Sequence, residues 1–453
     1  MPAPMTSPSV SWPAGPKGNL LSGNLNAFGR DPIGFLEECV RNYGDFVPLR
    51  FFNKRVIIIN DPNAIEAVLV TQSRHFTKTM GYRTPFMRRL FGEGLLTSEG
   101  SLWVRQRRLA QPAFHRDKVA SYAPIVVGFA ERMMAGWRPG ETRPIHSDIM
   151  KLTTEVVTKT LFNSGVPTEI DELGTASQAV MERFAAQWKG WQLLTSFLPS
   201  ASDSRFRQVM KRLDAFIYRL IEERRKSAQD MGDLLSTLVQ SQDESGGMTN
   251  RQLRDELTTL MVAGLDTTAL ALSWSCYLLA LNPAAADSLR DELARVLAGR
   301  APEFGDLAAL KFTEAIIKEA MRLFPPAWLV GREAAADCEI GGYLIPRGTS
   351  LIMSQWLKHR DARIFPRAAE FVPERWLDPL DIPRFGYFPF GGGPRICIGS
   401  GFAMMEATLG LAAIGQKIRF ECAPGYVVKP WPSITLQPRG GIQLSVWPVE
   451  NPG

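Results

Sequence analysis

Apolar and polar positions along this chain follow two periods. Between Phe46 and Pro62, β-branched and aromatic residues fall into two runs around a polar break at Asn53 and Lys54, the pattern of a β-hairpin. Asn63 to Val70 predicts a short helix. From Glu99 to about Arg360 apolar residues recur mostly at helical spacing in long amphipathic stretches. One of these helices is sharply delimited. Gly246 and Gly247 precede Thr249, whose spacing to Gln252 is that of a capping box, and Asn282-Pro283 ends the run. The segment is roughly 30 residues, about 45 Å at a rise of 1.5 Å per residue. A helix this long and this apolar is expected to cross the middle of the molecule. After Pro325-Pro326 the pattern shortens to strands, at Glu339–Ile345 and Ser350–Ser354, and strands return near Ser433–Leu436 and Gly441–Trp447. The outline is a mainly α protein with a smaller β-rich part: an extended, Pro-, Ser- and Gly-rich lead-in over residues 1–28, then a single domain over 29–453.

Composition narrows the class. Hydrophobic residues at 45% and charged residues at 22% are ordinary for a soluble globular protein. The net charge of +6 is mild, and basic residues form no stripe, so no nucleic-acid partner is expected. The excess suits an acidic protein partner or an anionic surface. Thr259–Leu281 is long enough to span a bilayer. It carries Asp266, Thr267 and Thr268 at its centre and lacks basic flanks, so it reads as a core helix. The N-terminus shows neither a signal-peptide core nor a membrane anchor. Cys39, Cys276, Cys338, Cys397 and Cys422 are scattered without a CxxC, which excludes a zinc framework and makes a reducing cytoplasm the simplest compartment.

Chemistry concentrates in a few strings. Phe390-Gly-Gly-Gly-Pro-Arg395-Ile-Cys397-Ile-Gly399 crowds glycines around one cysteine just before the apolar helical run Ala403–Ile414. Such a loop lets backbone approach a large flat ligand, and the helix start favours a thiolate. Ala263-Gly264-Leu265-Asp266-Thr267-Thr268 places a carboxylate and hydroxyls inside the long apolar helix, where unpartnered polar groups are costly. Glu319 and Arg322 share a helix face, with Arg375 downstream. Trp103 and Arg107 lie one helical turn apart, and Arg332 and Arg395 are further cations that could meet carboxylates.

Together these strings resemble the cytochrome P450 family. The cysteine string agrees with the family's heme-binding signature at every fixed position, and the other motifs follow in the family's order over nearly the whole chain. The resemblance implies the P450 fold, with heme b (iron protoporphyrin IX) between the long helix around 250–281 and the Cys397 loop. It makes Cys397 the axial iron ligand, a thiolate that favours cleavage of bound O–O. It assigns proton delivery to Asp266 and Thr267, and cofactor contacts to Trp103, Arg107, Ala263, Gly264, Arg332, Phe390, Arg395, Cys397 and Gly399. Glu319, Arg322 and Arg375 become a structural triad that holds the cysteine loop, and His359-Arg360-Asp361 is structural.

The implied activity is insertion of one oxygen atom of O2 into a hydrophobic organic substrate such as a fatty acid, terpenoid or steroid. Electrons would come from a separate ferredoxin or flavodoxin docked near Arg105, Arg108, Arg116 and Lys118. Phe86, Phe184, Trp188, Trp191, Trp328 and Trp431 fall where the family lines its pocket. Two rivals share the scaffold: a peroxygenase or isomerase, against which the Asp266-Thr267 pair argues, and a heme sensor without turnover.

Overall fold

The computed structural model describes residues 12–163, 201–227, 229–244, 246–379 and 381–449. The helices that position the site are α1 (Gly100–Ala110), α2 (Arg116–Ala135), α3 (Ile145–Phe162), α4 (Asn250–Leu281), α5 (Lys311–Leu323) and α6 (Ser400–Lys417). The capping box at the start of α4 is complete. Gln252 N–H donates to Thr249 Oγ1 at 3.2 Å, and Thr249 N–H donates to Gln252 Oε1 at 2.9 Å. Asn282-Pro283 terminates the helix as expected. Of its most apolar 18-residue window, 72% is buried, so α4 is a core helix.

Helix α3 lies along α4. Thr153 Oγ1 donates across the interface to the Leu265 carbonyl at 2.8 Å. The packing is tight at Gly264, where an added Cβ would sit 3.1 Å from Val157 Cγ2 and would force that side chain to give way. On its other flank α4 meets α6 and α5 through one large apolar cluster containing Leu270, Leu272, Trp274, Ile316, Leu409 and Leu411. Trp274 is fully buried and stacks on Phe324 with ring centroids 3.9 Å apart.

The β-rich part is a five-stranded sheet of β1 (Phe46–Phe51), β2 (Lys54–Ile59), β3 (Phe76–Thr77), β4 (Val330–Ala334) and β5 (Ser350–Met353), in the order β1-β2-β5-β4-β3. Strands β1 and β2 form the predicted hairpin, with Phe46 opposite Ile59. Near the C-terminus, β6 (Pro430–Pro432) and β7 (Leu436–Pro438) pair as a small antiparallel ribbon.

Four expectations are adjusted. The single strand expected at Glu339–Ile345 is two strands, Cys338–Ile340 and Tyr343–Ile345, folded back on each other. Gly341 and Gly342 take φ of +59° and +81°, a left-handed turn that ordinary residues rarely adopt. Of the strand expected at Ser433–Leu436, only Leu436 is in a strand, opening β7; residues 433–435 are the turn between β6 and β7, closed by Ser433 N–H to the Thr435 carbonyl. The helix expected at Asn63–Val70 is α-helical over Pro62–Glu66 and continues as a π-turn over Ala67–Thr71. The lead-in gives way to a helix at Leu25, slightly earlier than expected.

Candidate functional site

The cysteine loop is pinned at both ends. Cys397 N–H donates to the Phe390 carbonyl at 3.0 Å, and Ala403 N–H to Gly399 O at 2.8 Å begins α6. Gly393, at φ +68°, lies so close to the π-turn that a Cβ there would overlap the Leu69 carbonyl oxygen. Arg107 Nη1 reaches from α1 to the Ile396 carbonyl at 2.7 Å. Cys397 itself keeps an exposed thiol. Partial desolvation by the loop and α1 raises its pKa, opposed by the Gly399 N–H and by Arg107. An iron bound there would have to displace the thiol proton, as metals do on binding cysteine.

Two faces of α4 diverge at the polar patch. Ala263 is exposed and Thr267 half-buried on a helix otherwise packed into the core. Thr267 Oγ1 donates to the Ala263 carbonyl at 2.7 Å, which leaves its lone pairs free to accept a hydrogen bond. Gly264 turns instead toward α3, as described above. Asp266, only 2% exposed, points to the C-terminal ribbon. Thr435 Oγ1 donates to its Oδ2, and Gln437 Nε2 donates to Oδ1 and Oδ2 at 2.9 and 3.0 Å. Neither Thr435 nor Gln437 carried a local signal in the sequence, because each meets Asp266 only across the fold.

Cations gather beside this space. Arg395 lies over the Trp103 ring with its Cζ 4.5 Å from the centroid, pairs with Glu99, and leaves Nη1 buried without a hydrogen-bond partner. Arg332 is 8% exposed, and burial lowers its pKa, as does Arg395 nearby. Lys78, which sequence reading missed, is buried and donates Nζ to the Leu95 and Ser98 carbonyls at 2.8 Å each. Burial, with Arg395 and Arg332 facing it, brings its pKa down to about 7. Glu256 faces the same group but is itself pushed up to about 8 by burial. Glu99 accepts from the Lys78 backbone N–H at 2.6 Å and pairs with Arg395, so it is the carboxylate in contact with this group of cations. An orphaned guanidinium donor and uncompensated buried positive charge suit a ligand bearing carboxylates. Heme propionates answer that description, so the residues present fit the cofactor that the cysteine loop implies.

The expected triad assembles fully. Arg322 donates Nε and Nη2 to Glu319 at 2.8 Å each, and Arg375 Nε donates at 3.1 Å. Arg322 also binds the carbonyls of His359, Ala368 and Glu370, and Arg375 that of Pro366. The triad thus fastens residues 359–376 to α5. The connection to the cysteine loop runs one step further: Phe388 N–H donates to His359 Nε2 at 2.9 Å. Burial drives the His359 pKa down to about 3, so the ring accepts as a neutral imidazole.

The pocket residues fare unevenly. Phe86, Leu96, Val262, Ile398 and Ile434 are partly buried apolar side chains that pack against the core cluster holding Met87, Leu257, Met261 and Leu265. Trp431 is half-buried on β6. Trp328 departs from expectation. It is 4% exposed in the cluster under β1 and β2, and its Nε1 donates to the Ser433 carbonyl at 2.9 Å, so it is a packing residue. Phe184, Trp188 and Trp191 lie outside the described residues. Sequence reading also missed Glu406, which α6 buries against α4 at 1% exposure with neither carboxylate oxygen hydrogen-bonded. Burial pushes its pKa up to about 8, opposed by the nearby Thr268 hydroxyl, which approaches the carboxyl without reaching good hydrogen-bond geometry. Arg105, expected to dock a redox protein, is spent on Asp243 through Nε at 2.9 Å and Nη2 at 3.1 Å.

Comparison with known proteins agrees with this geometry. The family profile described as Cytochrome P450 matches residues 13–446. The chain is 36% identical to "Cyclooctatin synthase" of Streptomyces melanosporofaciens over 93% of this chain and 92% of the relative. It is 33% identical to "Cyclooctat-9-en-7-ol 5-monooxygenase" of the same organism, over 92% of each. It is 31% identical to "Pentalenene oxygenase" of Streptomyces avermitilis, over 88% of this chain and 89% of the relative.

Proposed function

The chain belongs to the cytochrome P450 family, a heme-thiolate monooxygenase by membership, and from that premise we propose that it oxygenates a polycyclic terpenoid of low polarity. The observation that carries the substrate class is the match over most of their length to relatives named for cyclooctat-9-en-7-ol and pentalenene. Partly buried apolar side chains such as Phe86, Val262 and Ile434, which pack against one core cluster, suit a hydrocarbon skeleton carrying little or no oxygen.

When bound, the heme-thiolate supplies dioxygen activation and oxygen insertion. Around it, this chain's own residues divide the labour. Cys397 presents its sulfur from the glycine-lined loop. Arg395, Arg332 and Lys78 would hold the carboxylate side of the cofactor, with Trp103 stacked against Arg395. Thr267 accepts a hydrogen bond at the exposed face of α4 and holds water there. Asp266, set behind it and clamped by Thr435 and Gln437, stores and releases the proton.

Electrons arrive from a separate small redox protein. Since Arg105 and Arg108 both pair with Asp243, the cations left for docking are the exposed Arg116 and the partly exposed Lys118, while Arg108 stays largely open to solvent in its pair. They lie on the side where Arg107 touches the cysteine loop. A cytoplasmic location suits the five unpaired cysteines.

The test is reconstitution with a surrogate ferredoxin and reductase, a panel of terpene hydrocarbons and terpene alcohols, and isotopically labelled O2. The expected result is one labelled oxygen per product. Thr267→Ala is expected to cut product per reducing equivalent about 10-fold or more, within the usual range for a positioned proton-transfer group. Unlabelled product, or tight coupling in that variant, would overturn the assignment. The same turnover also separates this reading from a sensor that binds heme without catalysis.

A further inference from the structure

Among the described residues the two most exposed large apolar side chains are neighbours, Leu20 at 92% and Leu21 at 84%. They sit in a turn closed from both ends: Asn19 and Gly23 each donate N–H to the other's carbonyl at 2.9 Å. This turn is tied to the end of the β1–β2 hairpin. Phe52 N–H donates to the Ser22 carbonyl at 3.2 Å. Arg50 spans the two turns, with Nη2 donating to the carbonyls of Asn19 at 2.6 Å and Leu20 at 3.0 Å, and Nη1 to that of Phe52 at 2.8 Å. Leu20, Leu21 and Phe52 therefore stand on one hydrogen-bonded double turn.

Phe52 has no packing reason to be there. It is 41% exposed and takes φ of +53°, where a bulky side chain is held at a cost and where short hairpin turns favour glycine or asparagine. None of the three side chains belongs to an apolar cluster of the described residues. Backbone strain kept for an exposed aromatic points to a use outside the fold.

The charge around the double turn has one sign. Residues 12–30 and 46–60 hold Lys17, Arg30, Arg50, Lys54 and Arg55 and no acidic residue. Arg50 lies directly opposite Arg55 across the hairpin, a like-charge pairing that costs stability in a sheet. Among the described residues no carboxylate pairs with any of the five. A second copy of the chain offering the same tip would set these cations against one another. A side chain 92% open to solvent protrudes and lines no depression in which a protein partner's anchor could seat. It can enter a bilayer without a shape to match.

We propose that this double turn docks the enzyme on an anionic lipid surface. Leu20, Leu21 and Phe52 enter the boundary between headgroups and acyl chains, and Lys17, Lys54 and Arg55 meet lipid phosphates. Arg50 holds the two turns in register. The docking role does not depend on which substrate is oxidised.

The test is co-sedimentation of the purified holoenzyme with vesicles of phosphatidylcholine alone and of phosphatidylcholine mixed with phosphatidylglycerol. Binding to the anionic vesicles is expected, weakened about 10-fold or more at high salt. Leu20→Ser combined with Leu21→Ser should weaken it by about 10-fold or more at low salt, as should Lys54→Glu combined with Arg55→Glu. Phe52→Gly separates docking from folding: glycine relieves the backbone at this position, so the thermal midpoint should hold or rise while vesicle binding falls. Val427→Ser, at another exposed apolar position, should bind as wild type does. No binding to either vesicle set, or binding that the double-turn variants retain at full strength, would overturn the proposal. So would absence of vesicle binding together with slower electron transfer from the surrogate ferredoxin in Lys54→Glu, because that result assigns the tip to an acidic protein.

Discussion

Two carboxylates are buried on adjacent helices and treated in opposite ways. Glu319 on α5 is fully enclosed and receives Arg322, Arg375 Nε, Trp376 Nε1 at 2.8 Å and Val372 N–H at 2.9 Å. Glu406 on α6 is equally enclosed, but among the described residues no cation meets it and only the Thr268 hydroxyl lies close enough to act on its carboxyl group. The first is a structural knot: each lone pair has a donor, and the charge is matched by guanidinium groups on both sides. The second has no cation to offset desolvation, so it holds its proton to about pH 8. The protein spends its arginines on fixing the segment that leads to the cysteine loop. It leaves the carboxyl beside Thr268 neutral and poised, next to the face of α4 where proton traffic is expected. Burial alone does not say what a carboxylate does; its donors do.

The contrast breaks first at the knot. Glu319→Gln keeps the shape but removes the charge, leaving two buried guanidinium groups short of a counter-ion. Breaking such a pair costs about 3–5 kcal/mol. The expected outcome is a large drop in the thermal midpoint and loss of heme on gel filtration, since residues 359–376 no longer hold the loop. Retention of both the midpoint and the heme would mean that the knot is ornamental to the cysteine site.

A smaller and oppositely signed effect is expected at Glu406. Its pKa is 4.5 when unfolded and about 8 in the fold, so between those values the native state binds the extra proton. Stability is therefore full below about pH 4.5 and declines as pH rises toward 8, by up to about 1.4 kcal/mol per pH unit for one proton. Glu406→Gln removes this slope. The variant should match wild type near pH 5 and exceed it at pH 8, as measured by unfolding midpoints across that range. Parallel pH profiles for the two proteins would show that Glu406 is ionised in the native state and has found a partner.

What could be read from the sequence, and what could not, follows the same division between local and distant partners. The capping box of α4, its Asn282-Pro283 stop, the hairpin at Phe46–Pro62 and the glycines around Cys397 are encoded within a few residues, and each appeared where its spacing placed it. Glu319, Arg322 and Arg375 were found because two of them share a helix face and the third belongs to a recognisable string. Lys78 and Glu406 were missed because their significance lies in what faces them across the fold. Nothing near Asp266 in the chain announces Thr435 or Gln437. Trp328 was misplaced for a related reason: an aromatic beside a pocket segment reads alike whether it faces the pocket or the sheet behind it. At Gly341-Gly342 the signal was present. Alternating apolar residues masked a pair of glycines that mark a turn rather than a strand interior.

The smallest effect sharpens the contrast from the other side. Arg367 and Glu370 have the same i,i+3 spacing as Glu319 and Arg322, and pair at 2.6 Å. Their side chains are 62% and 57% exposed, whereas both members of the buried pair are at 0%. Water screens the exposed charges, and fixing two long side chains in one geometry offsets what attraction remains. The backbone carbonyl of Glu370 serves Arg322, but its carboxylate serves only the surface. Glu370→Gln is therefore expected to leave the unfolding midpoint and heme content unchanged, while the same substitution at Glu319 is severe. A comparable loss at both positions would mean that charge, rather than burial and donor count, is what the segment from 359 to 376 depends on.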